Sequence, residues 1–229
     1  ISAILSGIVI EAGLIAILRS LSLLGKIGGN WGILLLVFGC LNILVGNLMA
    51  LRQTEVKRLL AYSSIAHVGY MLVGFGISFS VGIITGASGA FFHLITHTLM
   101  KGLAFLAVGA LMYVLIIANG SHGTLMLDDL NGVSRKYPLL ALCLSAALLS
   151  LGGLPPFAGF MSKWQILVAA ALAKTAWMWG IVVFIGLNSV LSLAYYAPMI
   201  NRMYRREPAE VVQRGKSLPW VMTIPIVFL

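Results

Sequence analysis

The sequence predicts an all-α integral membrane domain over residues 1–229, with about seven transmembrane helices, one of them broken. Of the 229 residues, 60% are apolar and only 9% are charged, and the mean hydropathy is +1.03. About a quarter of the residues in a soluble domain are charged, so this composition excludes a water-soluble protein. The chain starts at Ile1 without an initiator Met and stops inside an apolar run, so we expect a piece of a longer subunit.

The first two predicted spans cover residues 1–18 and 32–51, and a Gly-rich loop with Lys26 separates them. Glu11 lies in the first span among isoleucines and leucines that leave no polar face around it. A charge at bilayer depth costs about 2.5–3.5 kcal/mol, so an acid there indicates either a functional group or a protonated structural carboxyl. Glu11 is therefore a candidate proton carrier.

The third predicted span, residues 59–79, follows a polar turn over residues 52–58 that contains Lys57. The first half of this span is rich in hydroxyl side chains and contains His67. Polar side chains at this depth can bridge helices or hold water, whereas a helix surface that faces lipid gains no stability from them. We therefore expect this half to face other helices.

The fourth predicted span, residues 83–115, carries His93, His97 and Lys101 near its middle. A spacing of four puts all three on one face of a helix, over roughly 12 Å of rise. Such a row is typical of a proton relay. The alternatives are histidines that pack through hydrogen bonds and a lysine whose amine reaches the headgroups. Lys101 lies far along the chain from the next charge, so it cannot easily reach an interface.

The fifth predicted span covers residues 138–172 and is interrupted by Gly-Gly-Leu-Pro-Pro at residues 152–156. Two consecutive prolines remove two backbone donors and end a helix. Non-helical backbone at membrane depth is tolerated only where it faces protein or a water-filled cavity, and it often lies on an ion pathway. Lys163, just after the break, is a further intramembrane candidate, and its alternative is a lysine that reaches the far interface.

The basic residues decide whether this block is one broken span or two short ones. As one span, it leaves ten basic residues on one side of the membrane and three on the other, which makes the first side cytoplasmic by the positive-inside rule. As two spans, it moves the basic residues after residue 201 to the opposite side, and this asymmetry is lost. We therefore predict a single broken span. The ten residues are Arg52, Lys57, Arg58, Arg135, Lys136, Arg202, Arg205, Arg206, Arg214 and Lys216, and the three are Arg19, Lys26 and Lys174.

The sixth predicted span covers residues 177–200, and the seventh begins near Pro219. Cys40 and Cys143 lack the spacing of metal ligands, so we expect no metal and no redox cofactor. The net charge of +9 lies in short loops between spans rather than on an aromatic-interleaved face. We therefore predict no nucleic-acid partner.

Three motifs, in this order, resemble the antiporter-like subunits of respiratory complex I. They are QTEVKRLLAYSSIAHVGY at residues 53–70, HLITHTLMK at residues 93–101 and GLPPFAGFMSK at residues 153–163. The same family includes subunits of membrane-bound hydrogenases, the archaeal F(420)H(2) dehydrogenase and multisubunit Na+/H+ antiporters. The resemblance covers essentially the whole chain. It implies a fold of fourteen helices in two inverted five-helix repeats plus extra helices, with this chain as the C-terminal half.

The resemblance also implies roles for single residues. Lys101 resembles the central lysine that joins two half-channels, and His93 and His97 resemble its neighbouring relay groups. Lys163 resembles the distal residue on the broken helix, while Lys57 and His67 resemble the family's cytoplasmic-turn lysine and the histidine or glutamine of the following helix. The sequence departs from the family at Glu11, where many relatives carry a lysine, so the charge of that site is reversed.

These observations favour a subunit that moves H+ or Na+ through buried Lys, His and Glu side chains, coupled to electron transfer in other subunits. Its expected location is the cytoplasmic (inner) membrane of a prokaryote, and its expected partners are lipid and other membrane subunits. One alternative is a subunit of a stand-alone multisubunit Na+/H+ antiporter. An alternative of another class is a haem-binding electron carrier, in which His67 and His93 would be the axial pair.

Overall fold

The computed structural model describes residues 5–24, 30–121 and 123–228, and its regular structure is almost entirely helical. A π-helical turn, Leu5–Val9, precedes the first α-helix, and two 3-10 turns, Ile117–Asn119 and Asp128–Leu130, follow the fourth. The α-helices in chain order are α1 (Ile10–Leu24), α2 (Trp31–Leu51), α3 (Val56–Val81), α4 (Ile84–Leu115), α5 (Val133–Lys136), α6 (Pro138–Gly152), α7 (Ala158–Leu172), α8 (Ala176–Met203), α9 (Glu210–Arg214) and α10 (Trp220–Phe228).

Four of the described helices are long and apolar enough to cross a membrane, namely α2, α3, α4 and α8. They correspond to the second, third, fourth and sixth predicted spans, with ends that agree to within three residues. The predicted count of seven spans is not confirmed, because α1 has 15 residues and α10 has nine. The first span is also shifted: α1 continues past Arg19 to Leu24, and Leu21 is buried in an apolar core. Lys26 and the first four residues lie outside the described ranges.

Glycines bring α2 and α3 into backbone contact. A Cβ atom built on Gly39 would lie 2.9 Å from the carbonyl oxygen of Gly69, and one built on Gly46 would lie 2.9 Å from the carbonyl oxygen of Tyr62. A Cβ atom on Gly69 would in turn lie 2.6 Å from the carbonyl oxygen of Gly39. These distances are shorter than real Cβ contacts allow, so only glycine fits. We call Gly39, Gly46 and Gly69 the glycine seam.

The broken helix α6–α7 runs antiparallel to α4, first along its C-terminal half and then along its N-terminal half. Ser150 of α6 lies 2.7 Å from the sulfur of Met100. Ser162 of α7 lies 2.8 Å from His93. From Ser150 to Ser162 the residue number rises, whereas that of the contacted residue on α4 falls from Met100 to His93. The two short helices therefore lie one after the other along α4. Each has 15 residues, about 22 Å of helix, which is less than the roughly 30 Å of a hydrocarbon core. This arrangement favours the single broken span over two short ones.

The break itself lies where the sequence predicts it. Helix α6 ends at Gly152, Gly153 adopts a φ of +77°, and the helix resumes at Ala158. Pro155 and Pro156 lie between them and carry no N–H group, so they cannot continue the hydrogen-bond ladder. The break leaves the carbonyl of Leu151 free, and the amine of Lys163 donates to it over 2.9 Å.

Candidate functional site

Three histidines meet between α3 and α4. His67 Nδ1 lies 2.9 Å from His93 Nε2, which is hydrogen-bonding distance. The centroid of the His67 ring is 5.0 Å from that of His97. All three rings are buried, because the four-residue spacing of His93 and His97 puts both on the face of α4 that packs against α3. Since each neutral imidazole has one donor and one acceptor nitrogen, the hydrogen bond between His67 and His93 can pass a proton from ring to ring.

Glu11 extends this group towards α1. Its Oε1 lies 2.9 Å from His97 Nδ1, and its other oxygen accepts a hydrogen bond from the hydroxyl of Thr98. Thr98 Oγ1 also lies 3.2 Å from the carbonyl oxygen of Gly7. The Glu11 carboxyl is therefore held against α4 by two consecutive residues, and its side chain is only 5% exposed.

Ser162 connects the histidines to the broken helix. Its hydroxyl lies 2.8 Å from His93 Nδ1 and accepts from Thr96 over 3.3 Å. Ser162 directly precedes Lys163 in α7. A hydrogen-bonded path thus runs from His67 through His93 to the residue next to Lys163.

Lys163 is buried beside the break. Its amine donates to the carbonyl oxygen of Leu151 over 2.9 Å and lies 3.4 Å from the hydroxyl of Ser189 on α8. The same amine lies 4.9 Å from the centre of the Tyr70 ring, within cation–π distance. The Tyr70 ring centre is in turn 6.2 Å from that of His93.

Lys101 is fully buried one turn beyond His97. Its amine donates to the carbonyl oxygen of Leu60 over 2.7 Å and lies 2.6 Å from the hydroxyl of Ser63. Both partners belong to the first half of α3, as expected from the hydroxyl-rich sequence there. A buried amine needs such hydrogen-bond acceptors, because transfer from water without them is costly.

A second polar cluster joins α2 to α8. Asn47 donates its amide to Asn188 Oδ1 over 3.2 Å, and the hydroxyl of Tyr195 donates to Asn47 Oδ1 over 2.9 Å. Asn188 directly precedes Ser189, which contacts Lys163. All three members of this cluster are buried. The cluster therefore fixes the part of α8 that faces the broken helix.

Of the predicted site residues, the structure brings Glu11, His67, His93 and His97 into one group, with Lys163 and Lys101 at its edges. Lys57 lies apart from this group. The turn was predicted to extend to residue 58, but α3 already begins at Val56, so Lys57 is half-buried in its first helical turn. It lies one turn before Leu60, the acceptor for Lys101.

Among the contacts of this site, those of Thr98 and Ser162 were not predicted from the sequence. Each is the immediate neighbour of a predicted residue, His97 and Lys163 respectively. Hydroxyl groups next to ionisable residues in an apolar helix were the available signal, but the sequence contains many hydroxyls and does not indicate which ones face the site.

The haem alternative does not fit the geometry of His67 and His93. A metal held between two imidazoles at about 2 Å from each nitrogen separates those nitrogens by about 4 Å. Here the nitrogens are 2.9 Å apart, and the rings are nearly parallel, with an interplanar angle of 18°. The two histidines contact each other directly, and this arrangement leaves no space for an iron between them.

Comparison with known proteins places the chain in a protein family. The family model described as NADH:quinone oxidoreductase/Mrp antiporter, TM matches residues 1–190. NADH-quinone oxidoreductase subunit N 2 of Sorangium cellulosum is 41% identical over 201 residues, which cover 84% of this chain and 38% of the relative. F(420)H(2) dehydrogenase subunit N of Methanosarcina mazei is 32% identical over 213 residues, which cover 91% of this chain and 41% of the relative. The chain thus spans about two fifths of the length of these relatives.

Solved structures show the same similarity at the level of the fold. A chain of the archaeal membrane-bound sulfane sulfur reductase aligns with a TM-score of 0.80 and 29% identity, covering 99% of this chain and 44% of that one. A chain of respiratory complex I from Thermus thermophilus aligns with a TM-score of 0.65 and 35% identity, covering 84% of this chain and 40% of that one. Both neighbours are subunits of membrane complexes.

Proposed function

Because the chain belongs to the NADH:quinone oxidoreductase/Mrp antiporter membrane family, we propose that it is part of an ion-translocating subunit of a complex I-type oxidoreductase or a related membrane-bound hydrogenase. The subunit moves protons while electron transfer takes place in other subunits. It holds no redox group of its own in this proposal.

The contact series from Glu11 through the histidines to Ser162 is the observation that best supports the proposal. In this proposal, a proton enters or leaves at Glu11 and is transferred through His97, His67 and His93. Lys101 and Lys163, each with its amine on a backbone carbonyl, exchange protons with this series. Desolvation disfavours the charged form of any buried acid or base, so protons move when a neighbouring charge changes that balance.

We also propose how the chain is arranged in the membrane and what surrounds it there. The chain forms seven spans of a fourteen-helix fold as a single transmembrane domain, with the ten basic residues on the cytoplasmic side of a prokaryotic cytoplasmic membrane. Its partners are lipid and the other membrane subunits of the complex.

A second candidate is a subunit of a stand-alone Na+/H+ antiporter. A chain of the Mrp complex from a Dietzia species aligns with this chain with a TM-score of 0.75 and 26% identity, and this similarity supports the second candidate. The two candidates differ in their energy source. Proton movement that starts only on addition of an electron donor supports the oxidoreductase, whereas Na+-driven proton exchange without a donor supports the antiporter.

The central test is Lys101→Ala in the full-length subunit within its complex. Removal of a positioned proton-transfer group typically lowers a rate by roughly 100-fold or more. We therefore expect electron-transfer-linked proton uptake by reconstituted vesicles to fall by about that factor, with assembly unchanged on a native gel. Lys174→Ala, which removes an exposed lysine, serves as the matched control. Pumping at the parental rate by an assembled Lys101→Ala complex would exclude the central role of this amine.

A further inference from the structure

A cleft of about 430 Å³ opens at the surface where α6 and α10 begin. One wall is basic and is formed by Lys136 and Lys216. The lining also includes an apolar part, which is formed by Pro138, Leu139 and Leu218. The cleft has no part in the proposed proton path, whose residues lie deep between α3, α4 and α7.

Hydrogen bonds give this cleft a fixed shape. The buried hydroxyl of Tyr137 donates to the carbonyl oxygen of Lys216 over 2.6 Å, and the amine of Lys136 donates to the carbonyl oxygen of Gln213 over 2.8 Å. The backbone N–H of Lys216 donates to the carbonyl oxygen of Val114 over 3.1 Å. Burial raises the pKa of the Tyr137 phenol, so its hydroxyl stays protonated and remains a donor. The segment that carries Lys216 is therefore tied to the ends of both α4 and α6.

The cleft lies at the level where apolar helices end. Helix α4 ends at Leu115, α6 begins at Pro138 and α10 begins at Trp220, and the bonds just described bring these three ends together. Tyr137 and Trp220 lie at this level, and such aromatic residues are enriched at membrane–water boundaries. The cleft therefore opens at the edge of the hydrocarbon layer.

The charged side chains that line the cleft, Lys136 and Lys216, are both positive. In the described part of the chain, neither Lys136 nor Lys216 forms an ion pair. Arg214, two residues before Lys216, lies 3.4 Å from its partner Glu210 and is thus already paired. Two exposed ammonium groups beside an apolar wall suit a ligand with an anionic end and a hydrocarbon end.

We propose that this cleft binds the head group of an anionic phospholipid, with Lys136 and Lys216 on its phosphate. The acyl chains lie along the exposed apolar residues that continue from the cleft into the membrane, namely Leu139 and Leu142 of α6 and Val221 of α10, which are 39%, 62% and 60% exposed. Free phosphate satisfies the lysines but leaves this apolar surface uncovered. The lipid is therefore the occupant that matches both parts of the lining.

The test uses the assembled complex with its full-length subunit, in nanodiscs that contain phosphatidylglycerol carrying a photoreactive group next to its phosphate. After illumination, we expect labelled peptides that contain Lys136 or Lys216. An excess of unlabelled phosphatidylglycerol should compete, whereas phosphatidylcholine and inorganic phosphate should not. The double variant Lys136→Gln with Lys216→Gln should lower the labelling by roughly 25-fold, about fivefold for each lysine removed.

Two further variants separate charge from structure. Lys136→Arg with Lys216→Arg keeps both charges and should keep the labelling, whereas Arg205→Gln with Arg206→Gln removes two exposed charges outside the cleft and should also leave it unchanged. Equal labelling by phosphatidylcholine, unchanged labelling of the double glutamine variant, competition by inorganic phosphate, or crosslinks from the cleft to a neighbouring subunit would each overturn the proposal.

Discussion

Glu11 is the single buried acid among the described residues, and its carboxyl contacts His97, one of the three clustered histidines. Its two oxygens contact His97 and Thr98, so the carboxyl is oriented by α4 rather than by its own helix. An acid at this position can take and release a proton as a lysine does, but it alternates between a negative and a neutral form, whereas a lysine alternates between a neutral and a positive form. The surrounding groups are then suited to an acid.

We therefore predict that Glu11→Gln impairs proton translocation in the assembled complex. Glutamine keeps the size and the hydrogen-bonding ability of the side chain but cannot carry a proton. The expected loss in the rate of proton uptake is about 100-fold, the usual order for a proton-transfer group. Glu11→Lys should disturb translocation as well, because it inverts the charge that His97 contacts.

Glu207→Gln, at an exposed acid, is the matched control for Glu11→Gln. Both variants are compared by proton uptake at equal amounts of assembled complex. If Glu11→Gln pumps at the parental rate, the carboxyl is a structural hydrogen-bonding group, and the relay depends on the histidines and lysines alone.

The sequence indicated the ionisable members of this site but not their connections. The spacing of His93, His97 and Lys101 is a local property of one helix, so it could be recognised without a fold. The contact between His67 and His93 and the role of Ser162 depend on how α3 and α7 pack against α4. Those contacts join residues far apart in the chain, which periodicity cannot specify.

Among the elements, the break between α6 and α7 depends most strongly on a single backbone position. Gly153 has a φ of +77°, and a Cβ atom there would lie 3.2 Å from Cδ of Lys163. A non-glycine residue in this conformation costs about 1–2 kcal/mol before any crowding is counted. Gly153 therefore ends α6 and lies against the side chain of Lys163.

We predict that Gly153→Ala lowers the stability of the subunit by about 1–2 kcal/mol. Thermal unfolding of the purified complex, followed by tryptophan fluorescence, measures this loss. Gly109→Ala in α4 is the control, because a Cβ atom there meets nothing within 4 Å and the backbone is helical. Equal midpoints for the two variants would contradict the importance of the left-handed conformation at Gly153.

Helix ends in this chain were predictable where strong local signals occur. The paired prolines located the break, and the long apolar runs located α2, α3, α4 and α8. The extent of α1 was not predictable, because Arg19 is a common stop signal for a span, yet the helix continues until Leu21 has packed into a core. That packing is a tertiary effect which no local pattern records.

At the scale of the whole molecule, the orientation in the membrane follows from treating α6–α7 as one span. We predict that cysteines placed at Arg135 and Arg206 react with a membrane-impermeant maleimide from the cytoplasmic side, and that a cysteine at Lys174 reacts only from the opposite side. The background variant lacks Cys40 and Cys143, because these free cysteines could also react with the maleimide. The labelling is compared in inverted and right-side-out vesicles.

The two-span alternative gives a different pattern in the same experiment. In it, positions 135 and 174 share one side and position 206 lies on the other. Labelling of that kind would refute the single broken span and the assignment of the ten basic residues to the cytoplasm.

The glycine seam between α2 and α3 limits how this molecule can move. Because backbone approaches backbone at Gly39 and Gly69, the two helices have no space there for a larger side chain, and we expect them to move together. His67 on α3 and Asn47 on α2 belong to this pair of helices. Glu11 on α1 and Lys163 on α7 belong to other elements. We therefore expect slow amide exchange along the seam throughout any conformational cycle of the site.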